Sequence, residues 1–164
     1  MELGDLIGPD RVIADLRVAN KAQLLGELSR RASKTLRIAT NVILDALNAR
    51  EGLGSTGIGQ GIAIPHARIE GIQRIFGLFV RLERPIDFAA VDAQPTDLVV
   101  LLLIPANTGN EHLAALASVS RRLRDREVAQ ALRQIKTRGE LYQQLVGRHA
   151  SGETHSSDQQ MKRS

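Results

Sequence analysis

Residues 50–66, REGLGSTGIGQGIAIPH, place five glycines (Gly52, Gly54, Gly57, Gly59 and Gly61) within ten residues, with Ser55 and Thr56 among them. Glycine lets the backbone take positive φ and come close to a ligand. Successive N–H groups in such turns converge into concave anion sites. Ile62–Ile64 is a short apolar run of strand character. Pro65 biases Ile64 to an extended conformation, so the strand is expected to run directly into His66. An imidazole at a strand end, beside an oxyanion cradle, is well placed to carry a phosphoryl group on nitrogen. Taken singly, each part has a plainer reading. The glycines can make only a turn, and a lone histidine is an ordinary core or surface residue. Neither the Gly-x-Gly-x-x-Gly pattern nor the P-loop pattern is present, which argues against a nucleotide site.

Upstream, Val12–Ala14 reads as a strand. Asn20 caps a helix from Lys21 to about Lys34, with Ala22, Leu25, Leu28 and Ala32 at helical spacing. Thr40 is the expected cap of a second helix, 41–49, whose end delivers Arg50 into the glycine segment. A planar guanidinium can give a phosphoryl group two hydrogen bonds at once. By position alone, Arg50 reads more readily as a cation at a helix C-terminus, interacting with the helix dipole. Downstream, 67–73 reads as a connector, 75–82 as a strand buried on both faces, and 86–88 as a short edge strand after a turn at Pro85. Leu98–Ile104 is seven apolar residues in a row, stopped by Pro105, and reads as the central strand.

Helix 111–124 follows. At 100° per residue, His112 lies within about 40° of Leu116, Val119 and Leu123, so it is expected to point inward near the helix start. By position alone, that is a core-facing histidine. Two shorter helices, 127–135 and 139–146, complete the pattern. Arg121, Arg122, Arg124 and Arg126 read as a solvated helix face. From Gly147 onward Ser, Gln, Gly and charge dominate, so 147–164 is expected to be a polar, flexible tail beside a domain of 1–146.

The 164 residues are 43% hydrophobic and 24% charged, ordinary values for one globular domain. Aromatics are only 2%, so the core must be aliphatic. Without cysteine there are no disulfides or thiolate metal sites, and a cytoplasmic location fits. No apolar run approaches the length of a membrane span. A net charge of +4 is too mild to argue nucleic-acid binding without a supporting motif.

The whole string is more specific than its parts. Leu53–His66 resembles the active-site signature of the enzyme IIA domains of the bacterial phosphotransferase system, fructose/mannitol type. The match is to the nitrogen-regulatory branch, and it extends over about residues 1–146. Where that family often has Gly-Lys after the histidine, this chain has Ala67-Arg68. The resemblance implies a single α/β domain with a mixed β-sheet and helices on both sides. It implies His66 as phosphoryl acceptor, as a tele-phosphohistidine. It makes Arg50, sixteen residues earlier, and His112, in Asn110-Glu111-His112-Leu113, the other active-site residues. Ser55, Thr56, Gly57 and Gly59 would complete the phosphoryl cradle. No metal, nucleotide or other cofactor is expected, because the phosphoryl group arrives on the histidine of an HPr-type (NPr) carrier. Regulatory targets such as potassium-handling proteins or sensor kinases are expected partners, with no nucleic acid and no membrane insertion. The alternatives are a sugar-specific IIA component passing phosphoryl to a separate IIB, and a binding module whose His66 is never phosphorylated.

Overall fold

The computed structural model describes residues 1–147; the expected tail, from 148 on, lies outside the described residues. In chain order the elements are α1 (Leu3–Leu6), β1 (Val12–Leu16), α2 (Lys21–Leu36), α3 (Thr40–Gly52), β2 (Gly57–Gly59), β3 (Ile62–Ala63), β4 (His66–Ile69), β5 (Phe76–Ile86), β6 (Thr96–Pro105), α4 (Glu111–Arg124), α5 (Arg126–Gln134) and α6 (Arg138–Val146). They form one α/β domain around a mixed six-stranded sheet of order β1-β5-β6-β3-β2. β1 runs parallel to β5, β5 antiparallel to β6, and β3 and β4 both parallel to β6.

The apolar run on β6 decides the layering. Side chains alternate across a strand, so Leu98, Val100 and Leu102 join the cluster under α1, α4, α5 and α6, while Val99, Leu101 and Leu103 join the cluster under α2 and α3. All six are fully buried, and each contributes roughly 1.5–3 kcal/mol of burial. Helices therefore cover both faces, as the resemblance implied. Arg81 is the charged exception inside β5. It is buried, and it donates to the Leu132 carbonyl (2.8 Å) and to Asp15 (3.1 Å), tying β5 to α5 and β1.

Several local expectations are corrected. The strand into His66 is interrupted at Ile64-Pro65. Ile62 and Ala63 pair with Leu98 and Val99, pairing resumes at His66 with Leu102, and the register offset is unchanged. Proline has no N–H for the ladder, and the Ile64 N–H goes sideways to the Thr56 carbonyl (3.0 Å). β3 and β4 are thus two halves of one line along β6. Residues 67–69, expected as connector, are strand, because β6 supplies a pairing edge that local sequence does not reveal. Pro85 lies within β5 rather than starting a turn, at a register irregularity between Arg81 and Ile86, and only Ile86 of the expected 86–88 strand is paired. Thr40 is the first residue of α3; the cap is Ala39, with no side-chain bond. Arg122 does not belong to a solvated face. It is half-buried and donates to the carbonyls of Gln144, Leu145 and Gly147, groups that the end of α6 leaves without helical partners.

The glycine segment folds as a hairpin. β2 and β3 pair antiparallel around the two-residue turn Gln60-Gly61, with φ of 59° and 80°. Positive φ at both positions is the hairpin turn that matches strand twist. Gly57 admits no side chain, since a Cβ there would lie 2.9 Å from the Ala90 backbone.

Candidate functional site

His66 opens β4. Ala67 and Ile69 face the α2/α3 layer, so by alternation His66 and Arg68 face the side that carries α4. The His66 Nδ1 lies 2.8 Å from the Ile64 carbonyl, two residues back across the Pro65 break. A carbonyl only accepts, so Nδ1 carries the proton and Nε2 keeps its lone pair. The acceptor that selects the nucleophilic nitrogen thus lies in the unpaired Ile64-Pro65 step between β3 and β4. Burial pushes the His66 pKa below the ordinary histidine value, and the positive charge of Arg50 pushes the same way. The bond to Ile64 and the charge of Glu51 oppose them. The neutral imidazole is thus favoured at neutral pH.

A pH dependence follows, with a definite sign. The lone pair is lost only when the ring protonates, and its folded pKa lies below about 6.5. Reactivity at His66 should therefore persist as pH falls through 6.5 and decline only below it. Arg50→Gln removes a charge that disfavours protonation, so the His66 midpoint should rise. Imidazole NMR titration of both proteins measures this directly, and a midpoint in the wild type above 6.5 would contradict it.

Arg50 sits in the last turn of α3 and donates to the Gly54 carbonyl (2.8 Å), its one protein partner among the described residues. The rest of its guanidinium fork is available to an anion. The next residue, Glu51, lies in the same last turn of α3. Its side chain is 7% exposed, pairs with the Lys21 ammonium at 2.8 Å, and accepts the Thr56 N–H (3.0 Å) and the Thr56 hydroxyl. Lys21 also lies over the Phe88 ring, 4.3 Å from its centre. The Ser55 hydroxyl donates to the Phe88 carbonyl (2.9 Å) and accepts the Gly57 N–H (3.0 Å). Ser55, Thr56 and Gly57 therefore spend these groups on holding the segment in shape, while Gly59 lies in β2 with φ of 95°.

His112 stands half-buried in the first turn of α4, with Val119 and Leu123 of the same face in the core, as the helical phase implied. Its Nδ1 lies 3.0 Å from the Gly109 carbonyl and 3.1 Å from Arg68 Nη2. Arg68 also donates to the Thr108 carbonyl (3.0 Å), so β4 is tied to the β6–α4 loop. Ala67 fits its place without strain: it is 7% exposed and extended in β4, where no glycine conformation is needed. Arg50 on α3 and His112 on α4 both act electrostatically on His66 at the start of β4.

The family described as phosphoenolpyruvate-dependent sugar phosphotransferase system, EIIA 2, matches residues 5–147. The chain belongs to this family. Among curated members, a nitrogen regulatory protein of Bradyrhizobium diazoefficiens is 42% identical over 146 residues, covering 89% of this chain and 95% of that one. A nitrogen regulatory protein of Escherichia coli K12 is 39% identical over 144 residues, covering 87% and 88%. Among solved structures, the nitrogen regulatory protein IIA-Ntr of Neisseria meningitidis superposes with a TM-score of 0.83 at 30% identity, covering 88% of this chain and 99% of that one. The Escherichia coli IIA mannitol structure shares the fold with a TM-score of 0.72 at 20% identity, covering 85% and 98%. The EIIA assignment agrees with the resemblance carried by Leu53–His66. Among the described residues, no helix of this EIIA domain is long and apolar enough to cross a membrane. Two residues of its site escaped the sequence reading. Glu51 was signalled only by its place beside Arg50, and Arg68 only by its basic charge beside His66.

Proposed function

We propose that this EIIA domain, within residues 1–146, is a phosphocarrier of the nitrogen-related phosphotransferase system. His66 accepts a phosphoryl group from the phosphohistidine of an HPr-type (NPr) protein, and the phosphorylation state then governs binding to target proteins in the cytoplasm. The observation that carries this reading is the Nδ1 bond of His66 to Ile64, which leaves Nε2 as the attacking atom in a ring held neutral. The Nε2–P bond forms as the donor's N–P bond breaks, and the Nδ1 proton stays on the ring. Such transfer depends mainly on alignment and on stabilising charge over the phosphoryl oxygens. Arg50 supplies that charge, and His112 a hydrogen bond. Ser55, Thr56 and Gly57 shape the glycine segment through their internal hydrogen bonds rather than by donating to the phosphoryl group. Exposed Leu53 (86%) and Leu113 (57%), next to Arg50's turn and to His112, suit a protein donor rather than a small molecule.

The regulatory half of the reading rests on relatives named nitrogen regulatory protein. A phosphoryl group adds roughly 1.5–2 negative charges at pH 7, enough to create or abolish a docking surface. Potassium-handling proteins and sensor kinases are the targets to try first. A sugar-transport role has its own support, since a fructose-specific EIIA component of Haloferax volcanii is 39% identical over 95 residues. One experiment separates these readings. The protein is incubated with phosphoenolpyruvate, enzyme I and the HPr-type carrier of the same cell, then examined by intact mass and site mapping. One acid-labile phosphoryl group on His66 is expected. Onward transfer to a sugar-specific IIB would move the reading to transport, and no phosphorylation would overturn both.

A further inference from the structure

We propose that Arg68 is a positioning residue that sets the tautomer of His112, so that His112 turns an Nε2–H toward the phosphoryl group on His66. The identity of the group received rests on the carrier reading above; the tautomer does not.

The two neighbours of His112 Nδ1 make opposite demands. The Gly109 carbonyl, at 3.0 Å, only accepts, whereas the Arg68 guanidinium, at 3.1 Å, only donates. One nitrogen cannot satisfy both. With a proton on Nδ1, His112 bonds to Gly109 and its Nε2 presents a lone pair. With no proton there, Nδ1 accepts from Arg68 and Nε2 carries the hydrogen. Phosphoryl oxygens only accept, so the second form binds them and the first repels them. The doubly protonated ring would also donate, but it sets a cation against the guanidinium.

The balance favours the Arg68-bonded form. A bond from a charged donor is roughly twice as strong as one between neutral groups. Gly109 is exposed, so solvent can satisfy its carbonyl at little cost. Arg68 is held in place independently, because its Nη1 donates to the Thr108 carbonyl (3.0 Å). Its strand position brings it there: two residues after His66, on the same face of β4, it spans from the nucleophile's strand to the loop that starts α4. The two histidines then hold opposite tautomers. His66 keeps Nδ1–H on Ile64 and offers a lone pair, while His112 keeps its lone pair on Arg68 and offers an N–H.

The test uses the full chain, unphosphorylated, labelled with nitrogen-15 and held near pH 8, with long-range imidazole correlation spectra. Wild type should give His112 as the Nε2–H tautomer. Arg68→Met should convert it to Nδ1–H, bonded to Gly109. Arg68→Lys, which keeps a charged donor, should retain Nε2–H. After phosphorylation, the phosphohistidine in Arg68→Met should hydrolyse about tenfold faster, with Arg68→Lys within about twofold of wild type. An Nδ1–H tautomer in wild type overturns the proposal without any variant. So does an unchanged tautomer in Arg68→Met, or a converted tautomer with an unchanged lifetime. Amide spectra away from β4 and the β6–α4 loop report whether Arg68→Met remains folded. If wild type takes no phosphoryl group at all, the carrier reading fails, and the tautomer spectra still decide the role of Arg68.

Discussion

His66→Ala takes up no phosphoryl group from the carrier, while its fold stays intact. The loss is complete because the group removed is the acceptor atom itself. The fold survives because the ring is half-buried and its one hydrogen bond among the described residues, to Ile64, is local. Losing such a bond costs about 1 kcal/mol. Arg50→Ala and His112→Ala keep Nε2 and lose only stabilisation of the phosphoryl oxygens. Each should therefore slow acceptance by about 10²-fold without abolishing it, in the range seen when one preorganised donor is deleted. Stopped reactions read by intact mass separate the two behaviours. A full equivalent of phosphoryl on His66→Ala would move the acceptor to another of the four histidines and undo the assignment.

Arg50, His66 and His112 became candidates through resemblance rather than periodicity: His66 ends the Leu53–His66 string, Arg50 stands sixteen residues before it, and His112 lies in Asn110-Glu111-His112-Leu113. The core was legible by physics alone. Seven apolar residues, strand-sized in length and stopped by Pro105, suit a strand buried on both faces, and the alternation along them assigns the two helical layers. What stayed hidden was created by distant partners. Ala67-Arg68-Ile69 has no strand signal of its own, and becomes β4 only because Leu103 to Pro105 offer it an edge. Pro65 was read through its effect on Ile64, which is local. Its other effect, a missing donor in the ladder, becomes visible only once β6 is known to lie alongside. Arg122 has the composition of a surface residue, and the carbonyls that claim it come from residues 144–147. Glu51 belongs with these, since its role depends on Lys21, thirty positions earlier.

Glu51→Ala should be the most destabilising single change near the site. The carboxylate is almost wholly buried and joins three groups: the Lys21 ammonium, the Thr56 N–H and the Thr56 hydroxyl. Removing it strands a partly buried ammonium, 24% exposed, and leaves two donors of Thr56 without their acceptor. Breaking a buried pair by deleting one partner costs about 3–5 kcal/mol, which for a domain of this size lowers Tm by roughly 6–20 °C. The loss is also functional. Thr56 accepts the Ile64 N–H through its carbonyl, and Ile64 in turn holds the His66 ring. Glu51 therefore reaches the nucleophile through two backbone links, and its own charge raises the His66 pKa. In Glu51→Ala the imidazole midpoint should fall further, and its Nδ1 proton should exchange faster. Thermal unfolding of Glu51→Gln, Lys21→Met and the double variant apportions the effect. Because both single changes break the same pair, the double change should cost less than the sum of the two by 1 kcal/mol or more, as expected for contacting residues. Strict additivity would mean that Lys21 and Glu51 act separately, and that the link from α2 through Glu51 to His66 does not exist.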